Sequence, residues 1–185
     1  MMRRPWLLAL TALAVAACGA PSAAAPPPTA AASASPAAAT TPSAAPSDSA
    51  AYACTDSRGG GAARADVTTV RASAGTGYDR FVIEFDGPVP GYQVTRQPGA
   101  AFTQDASGQL VTLDGSAGVL VRLAPAGSSP SAPHAISPGG TVLREGRNVG
   151  DFEGVVHWGL GLASAACMHV FTLDSPPRLV IDFKT

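Results

Sequence analysis

The stretch Asp79-Arg80-Phe81-Val82-Ile83-Glu84-Phe85-Asp86-Gly87-Pro88 decides the fold class of this chain. Phe81, Ile83 and Phe85 alternate with Arg80 and Glu84. That period of two puts the aromatic and aliphatic set on one face of a β-strand and the charged set on the other. A core on one side and solvent on the other is therefore expected here. The connection that follows, Asp86-Gly87-Pro88-Val89-Pro90-Gly91, is rigid and ends the strand.

The same alternation recurs in both directions. Val119, Val121 and Leu123 point one way with Arg122 outward, and Leu179 and Ile181 point inward with Arg178, Val180 and Asp182 opposite. Val170, Phe171 and Leu173 close the pattern less cleanly. Strands are predicted over 67–72, 78–85, 92–96, 109–113, 119–123, 141–147, 152–160, 168–173 and 178–183, with no window of helical period between them. Strands that succeed one another without crossover helices imply antiparallel pairing in an all-β sandwich or barrel. Asp114-Gly115 reads as a hairpin turn, and Ser175-Pro176-Pro177 stops one strand before the next. The Ala, Gly, Ser and Pro-rich stretch 124–140 reads as a mobile loop or an insertion. A compact region of about 130 residues, 51–185, suffices for one independent core.

The first fifty residues have a different character. Met1-Met2-Arg3-Arg4-Pro5 is basic, the run Trp6 to Ala17 is apolar, and Cys18 follows small residues. This is the layout of an export signal, too short to cross a bilayer as a permanent helix. Val15-Ala16-Ala17-Cys18 resembles the lipobox of bacterial lipoproteins, so residues 1–17 are expected to be a signal peptide and Cys18 the acylated first residue of the mature protein. Multiple acyl chains would hold the protein at the outer face of the cell membrane, since one chain alone binds only reversibly. Between residues 19 and 50 the chain is almost wholly Ala, Pro, Ser and Thr, with no charge before Asp48. Residues 18–50 are thus expected to form a lipidated, disordered linker, with a reach of up to roughly 100 Å if extended at ~3.1 Å per residue.

Removal of the signal leaves ten basic residues (twelve less Arg3 and Arg4) against thirteen acidic, a formal charge of −3. Nucleic acid is an unsuitable partner for such a surface. The remaining cysteines, Cys54 and Cys167, bracket the compact region, and an even remainder in an exported protein reads as a disulfide. Closing a loop of about 113 residues would stabilise the fold by about 4 to 5 kcal/mol in the chain-entropy picture. Neither cysteine has the close ligand spacing of a zinc site, and no metal or cofactor is expected.

Three segments taken together resemble a known family. They are Asp79 to Pro88 with Pro90-Gly91-Tyr92; Gly150-Asp151-Phe152-Glu153-Gly154-Val155-Val156-His157-Trp158-Gly159-Leu160-Gly161; and Val170-Phe171-Thr172-Leu173 with Pro176-Pro177-Arg178-Leu179-Val180-Ile181-Asp182. The compact region is similar to the AMIN-like domain of actinobacterial lipoproteins, a relative of the AMIN domain of periplasmic amidases and pilus secretins. The resemblance implies a β-sandwich of two small sheets and a targeting role, holding an envelope protein against peptidoglycan or a related wall polymer. Two features depart from the pattern: no amidase or secretin domain accompanies it in this sequence, and the 124–140 stretch lengthens the domain.

Signs of catalysis are weak in the residues themselves. His134, His157 and His169 are scattered, and no His-Glu-x-x-His, Gly-x-Ser-x-Gly or phosphate-loop pattern occurs. Asp151 and Glu153 alternate on one predicted strand face, as a paired acid and base would, but an acidic solvent-facing edge beside a glycine turn is the better account of them. Glycan recognition needs an aromatic face to stack on a sugar and cationic forks for its hydroxyls and carboxylates. Tyr78, Tyr92 and Trp158 are the candidate platforms, with Trp158 leaning to the core. Arg80, Arg96 and Arg178 are the candidate forks. The expected partners are membrane lipid through Cys18 and a cell-wall polysaccharide, or else an envelope protein docked on a sheet edge or loop.

Overall fold

The computed structural model describes residues 51–185; the segments expected to be an export signal and a linker, with Cys18 between them, lie outside the described residues. Thirteen strands follow one another: β1 Ser57–Gly59, β2 Ala65–Ala74, β3 Tyr78–Phe85, β4 Gly91–Gln97, β5 Ala101–Thr103, β6 Leu110–Thr112, β7 Ala117–Ala124, β8 Ala126–Ser128, β9 Ala135–Ile136, β10 Leu143–Phe152, β11 Val155–Leu162, β12 Met168–Asp174 and β13 Pro177–Lys184. They form a six-stranded sheet ordered β1-β4-β7-β11-β10-β9, a five-stranded sheet ordered β12-β13-β3-β2-β8, and the separate pair β5-β6. The described residues are all-β, as their alternation requires.

The two large sheets enclose the main core. Phe81, Ile83, Leu179, Ile181 and Phe183 from one face Val121, Leu123, Trp158 and Leu160 from the other, all essentially without solvent contact. Phe81 meets Trp158 at 5.8 Å between ring centroids, a tilted aromatic pair at the centre. Each inward set is the set that the period of two selects. The register Phe81↔Ile181 and Ile83↔Leu179 joins β3 to β13 with both inward sets aligned.

The β5-β6 pair is a flap laid on the outside of the six-stranded sheet. Ala100, Phe102, Leu113 and Val149 make a second, smaller core beneath it. Glycines make room for the flap: a Cβ at Gly159 would come within 2.8 Å of the Phe102 ring, and one at Gly150 would occupy the place of the Asp105 carboxylate.

Several expectations are corrected. Asp114-Gly115 connects the flap to β7 rather than turning a hairpin, because β6 pairs with β5. The 124–140 stretch is built into the sandwich: β8 lies parallel to β2, β9 pairs with β10, and Ala126 and Ala132 are buried. Its small residues let the chain pass close to the core, a packing role that composition shares with flexible loops. Phe152 ends β10 instead of starting a strand. Glu153 (φ 50°) and Gly154 (φ 77°) make the tight turn into β11, so Asp151 and Glu153 do not share a strand face. Four short strands, β1, β5, β8 and β9, are too brief to show a period and were not foreseen.

Candidate functional site

The outward face of the five-stranded sheet should be polar by the alternation rule, yet it carries a cluster of rings around a buried charge pair. Arg80 on β3 and Asp182 on β13 are direct cross-strand partners. The Arg80 Nε donates to Asp182 Oδ1 at 2.6 Å and an η nitrogen donates to Oδ2 at 2.8 Å, a bidentate fork. Both are sealed from solvent, Arg80 at 5% and Asp182 at 0% exposure. The hydrogen bond to Asp182 is the main reason the guanidinium is held above its ordinary range, against the opposing pull of desolvation.

The seal is aromatic. The Arg80 guanidinium lies 4.9 Å from the Tyr78 ring centre and 5.7 Å from that of Phe171. Phe171 stacks on His169 at 4.8 Å, and Tyr52 meets His169 edge-on at 6.2 Å. All four rings are half-buried. Tyr52 is brought there by the segment before β1: Ala53 and Met168 exchange backbone hydrogen bonds of 2.9 Å, and the Cys54–Cys167 disulfide fixes the next residue. Desolvation, and then the Asp182 carboxylate, raise the Tyr52 phenol above its ordinary ionisation range.

The nominated residues thus separate into two groups. Tyr78, Arg80 and Arg178 share the outward face of the five-stranded sheet, although the Arg80 fork is given to Asp182 and Arg178 Nε donates to the Pro176 carbonyl at 3.2 Å. Tyr92 and Arg96 belong to β4 of the other sheet. Arg96 secures the segment before β1, its side chain donating to the Cys54 carbonyl at 2.6 Å and its backbone N–H to Asp56 at 3.0 Å. Tyr92 packs against the edge of the core, where burial raises its phenol and a hydrogen bond with Ser57 opposes the rise. Trp158 is a core residue.

The sequence reading missed His169, Phe171 and Tyr52 as members of the cluster. The period of two in Met168–Asp174 puts residues 169, 171 and 173 on one face and offered a signal for two of them. Tyr52 offered none, because the disulfide and the Ala53 bridge bring it there.

Of the remaining imidazoles, that of His157 is paired with a carboxylate. His157 Nδ1 lies 2.6 Å from Asp105 Oδ2 at the flap tip, an oriented pair. Among the described residues no hydroxyl or thiol is bonded to it, and no group of three or more His, Cys, Asp or Glu side chains is placed to hold a metal.

The family model of the AMIN-like domain matches residues 65–185. No curated protein and no solved structure matches the chain. The matched span begins after β1, so Tyr52, Cys54 and Arg58 precede it.

Proposed function

This chain belongs to the AMIN-like domain family, and from that premise we propose that it is a non-catalytic, lipid-tethered module whose aromatic sheet face holds a peptidoglycan glycan strand. The family is extracytoplasmic and peptidoglycan-related. The observation that carries the reading is the placement of Tyr52, Tyr78, His169 and Phe171 on the outward face of a sheet. Rings so placed offer flat apolar surface to the C–H face of a sugar, and the Tyr hydroxyls offer polar handles at its rim. The Arg80–Asp182 pair beneath is a positioning device: it fixes the plane against which Tyr78 and Phe171 rest. Acyl chains on Cys18 and the 18–50 linker would give the module an anchor and a range of action.

The test is co-sedimentation of the full chain, carrying Cys18→Ala to keep it soluble, with purified sacculi. Retention that falls about tenfold in Phe171→Ala or Tyr78→Ala, the size expected for the loss of a stacked ring, supports glycan recognition. Absence of retention at any salt concentration overturns it. A protein partner is the second reading, favoured by Leu110 and Phe152, the large apolar side chains left exposed among the described residues. Retention on crude envelopes that is lost in Phe152→Ala, with none on purified sacculi, would favour that reading.

A further inference from the structure

The six-stranded sheet presents a different chemistry on its outward face. Arg58, Gln93 and Arg122 are successive cross-strand partners on β1, β4 and β7. Adjacent strands lie about 4.8 Å apart, so the two arginines flank the glutamine with their Cα atoms about 10 Å from each other. His157 on β11 continues the row beside Arg122, with its Nδ1 engaged by Asp105.

Arg58, Tyr92, Gln93 and Arg122 line one hollow of about 330 Å³. A second hollow of about 350 Å³ shares Arg58 and Gln93 and is continued by Ser57, Thr95 and Asp56. The Asp56 carboxylate already accepts the Arg96 backbone N–H. Backbone without side chains at Gly59, Gly60 and Gly91, together with Ala124, forms the rest of the first wall. A Cβ at Gly91 would press on the Ala124 carbonyl at 2.6 Å, so this wall is held close and open by glycine.

The charge distribution singles this row out. Every other arginine of the described residues gives its guanidinium to a carboxylate or a backbone carbonyl. Arg58 and Arg122 have no such partner among the described residues. Two unpaired guanidinium forks in one hollow, with an amide between them, repel each other unless an anion lies across them. We infer that this row is a binding site for an extended polymer bearing repeated anionic groups, carboxylate or phosphate, each fork taking one group. The site is separate from the aromatic face, and its outer wall, β1, precedes the span matched by the family.

Isothermal titration of the full chain carrying Cys18→Ala tests this with three probes: poly(glycerol phosphate), polygalacturonate and neutral dextran. Binding of either polyanion, weakened by salt and reduced at least tenfold in the Arg58→Ala/Arg122→Ala variant, is the expected result. Which polyanion binds identifies phosphate or carboxylate as the source. Dextran should not bind this row. Both arginines are at the surface, so circular dichroism of the variant should match the parent. Shifts of the Gln93 side-chain amide in NMR spectra on titration should locate the ligand. The inference is overturned if neither polyanion binds more tightly than dextran, if the double variant binds as the parent does, or if the shifts gather at Tyr78 and Phe171. Because Phe171→Ala leaves this row intact, loss of polyanion binding and loss of sacculus stacking are separable.

Discussion

At the scale of single residues, buried polar groups make the sharpest demands. Replacing Asp182 with Ala strands the Arg80 guanidinium in a sealed site. The expected cost is about 3–5 kcal/mol, the usual penalty for breaking a buried pair, read as a lowered urea midpoint at unchanged slope. The joint replacement Arg80→Met/Asp182→Leu should recover most of that loss, and a single substitution costing under about 1 kcal/mol would contradict the burial. Asp79 is equally enclosed: its Oδ2 accepts the backbone N–H groups of Val142 and Leu143 at 2.6 and 2.9 Å. Asp79→Ala should release that loop and cost about 2–4 kcal/mol, two unmade hydrogen bonds to a charged acceptor, with faster amide exchange at residues 142 and 143. The Tyr52 phenol is raised by desolvation and by Asp182, so its folded-state ionisation lies above the unfolded value of about 10. A raised value means stability is fully present below pH of about 10 and is lost as pH climbs through the folded-state ionisation. Ultraviolet titration of Tyr52→Phe should therefore lose phenolate signal above the ordinary range; loss at or below it would refute the placement.

At the scale of elements, two short pieces complete surfaces that the long strands leave unfinished. The segment 51–56 adds Tyr52 to the aromatic face and supports β1, and it is held by Cys54–Cys167, the Ala53–Met168 bridge and Arg96. Cys54→Ala/Cys167→Ala should lower stability by about 2–4 kcal/mol, in the usual range for a long closed loop. It should also speed amide exchange at residues 53 and 168. The β5-β6 flap depends on Phe102 lying over Gly159. Gly159→Ala drives a methyl group into that ring at 2.8 Å and should loosen the flap without unfolding the sandwich, seen as faster exchange at residues 101–112 alone. The flap tip holds Asp105 on His157, so the same variant should disturb the imidazole resonances.

At the scale of the whole molecule, the proposed division between anchor and head predicts that Cys18→Ala moves the protein from the membrane fraction to the soluble fraction; a variant that stays with the membrane would show that something else anchors it. The long strands, their inward faces and the all-β class were legible in the sequence, because a two-residue period fixes side-chain direction as soon as the chain is extended. Phe81, Ile83, Leu179 and Ile181 needed no knowledge of their partners to be placed inside. The outward residues were not legible in the same way. Arg80 reads as a solvent-facing charge until β13 sets Asp182 beside it and β12 and the segment before β1 lay rings over both. Arg58 and Arg122 stand 64 residues apart in the chain and become neighbours of one glutamine only through the order β1-β4-β7. Local alternation tells each side chain which way to point, but the neighbours it meets there depend on strand pairings across long separations, and those form only when the two sheets close over a shared core.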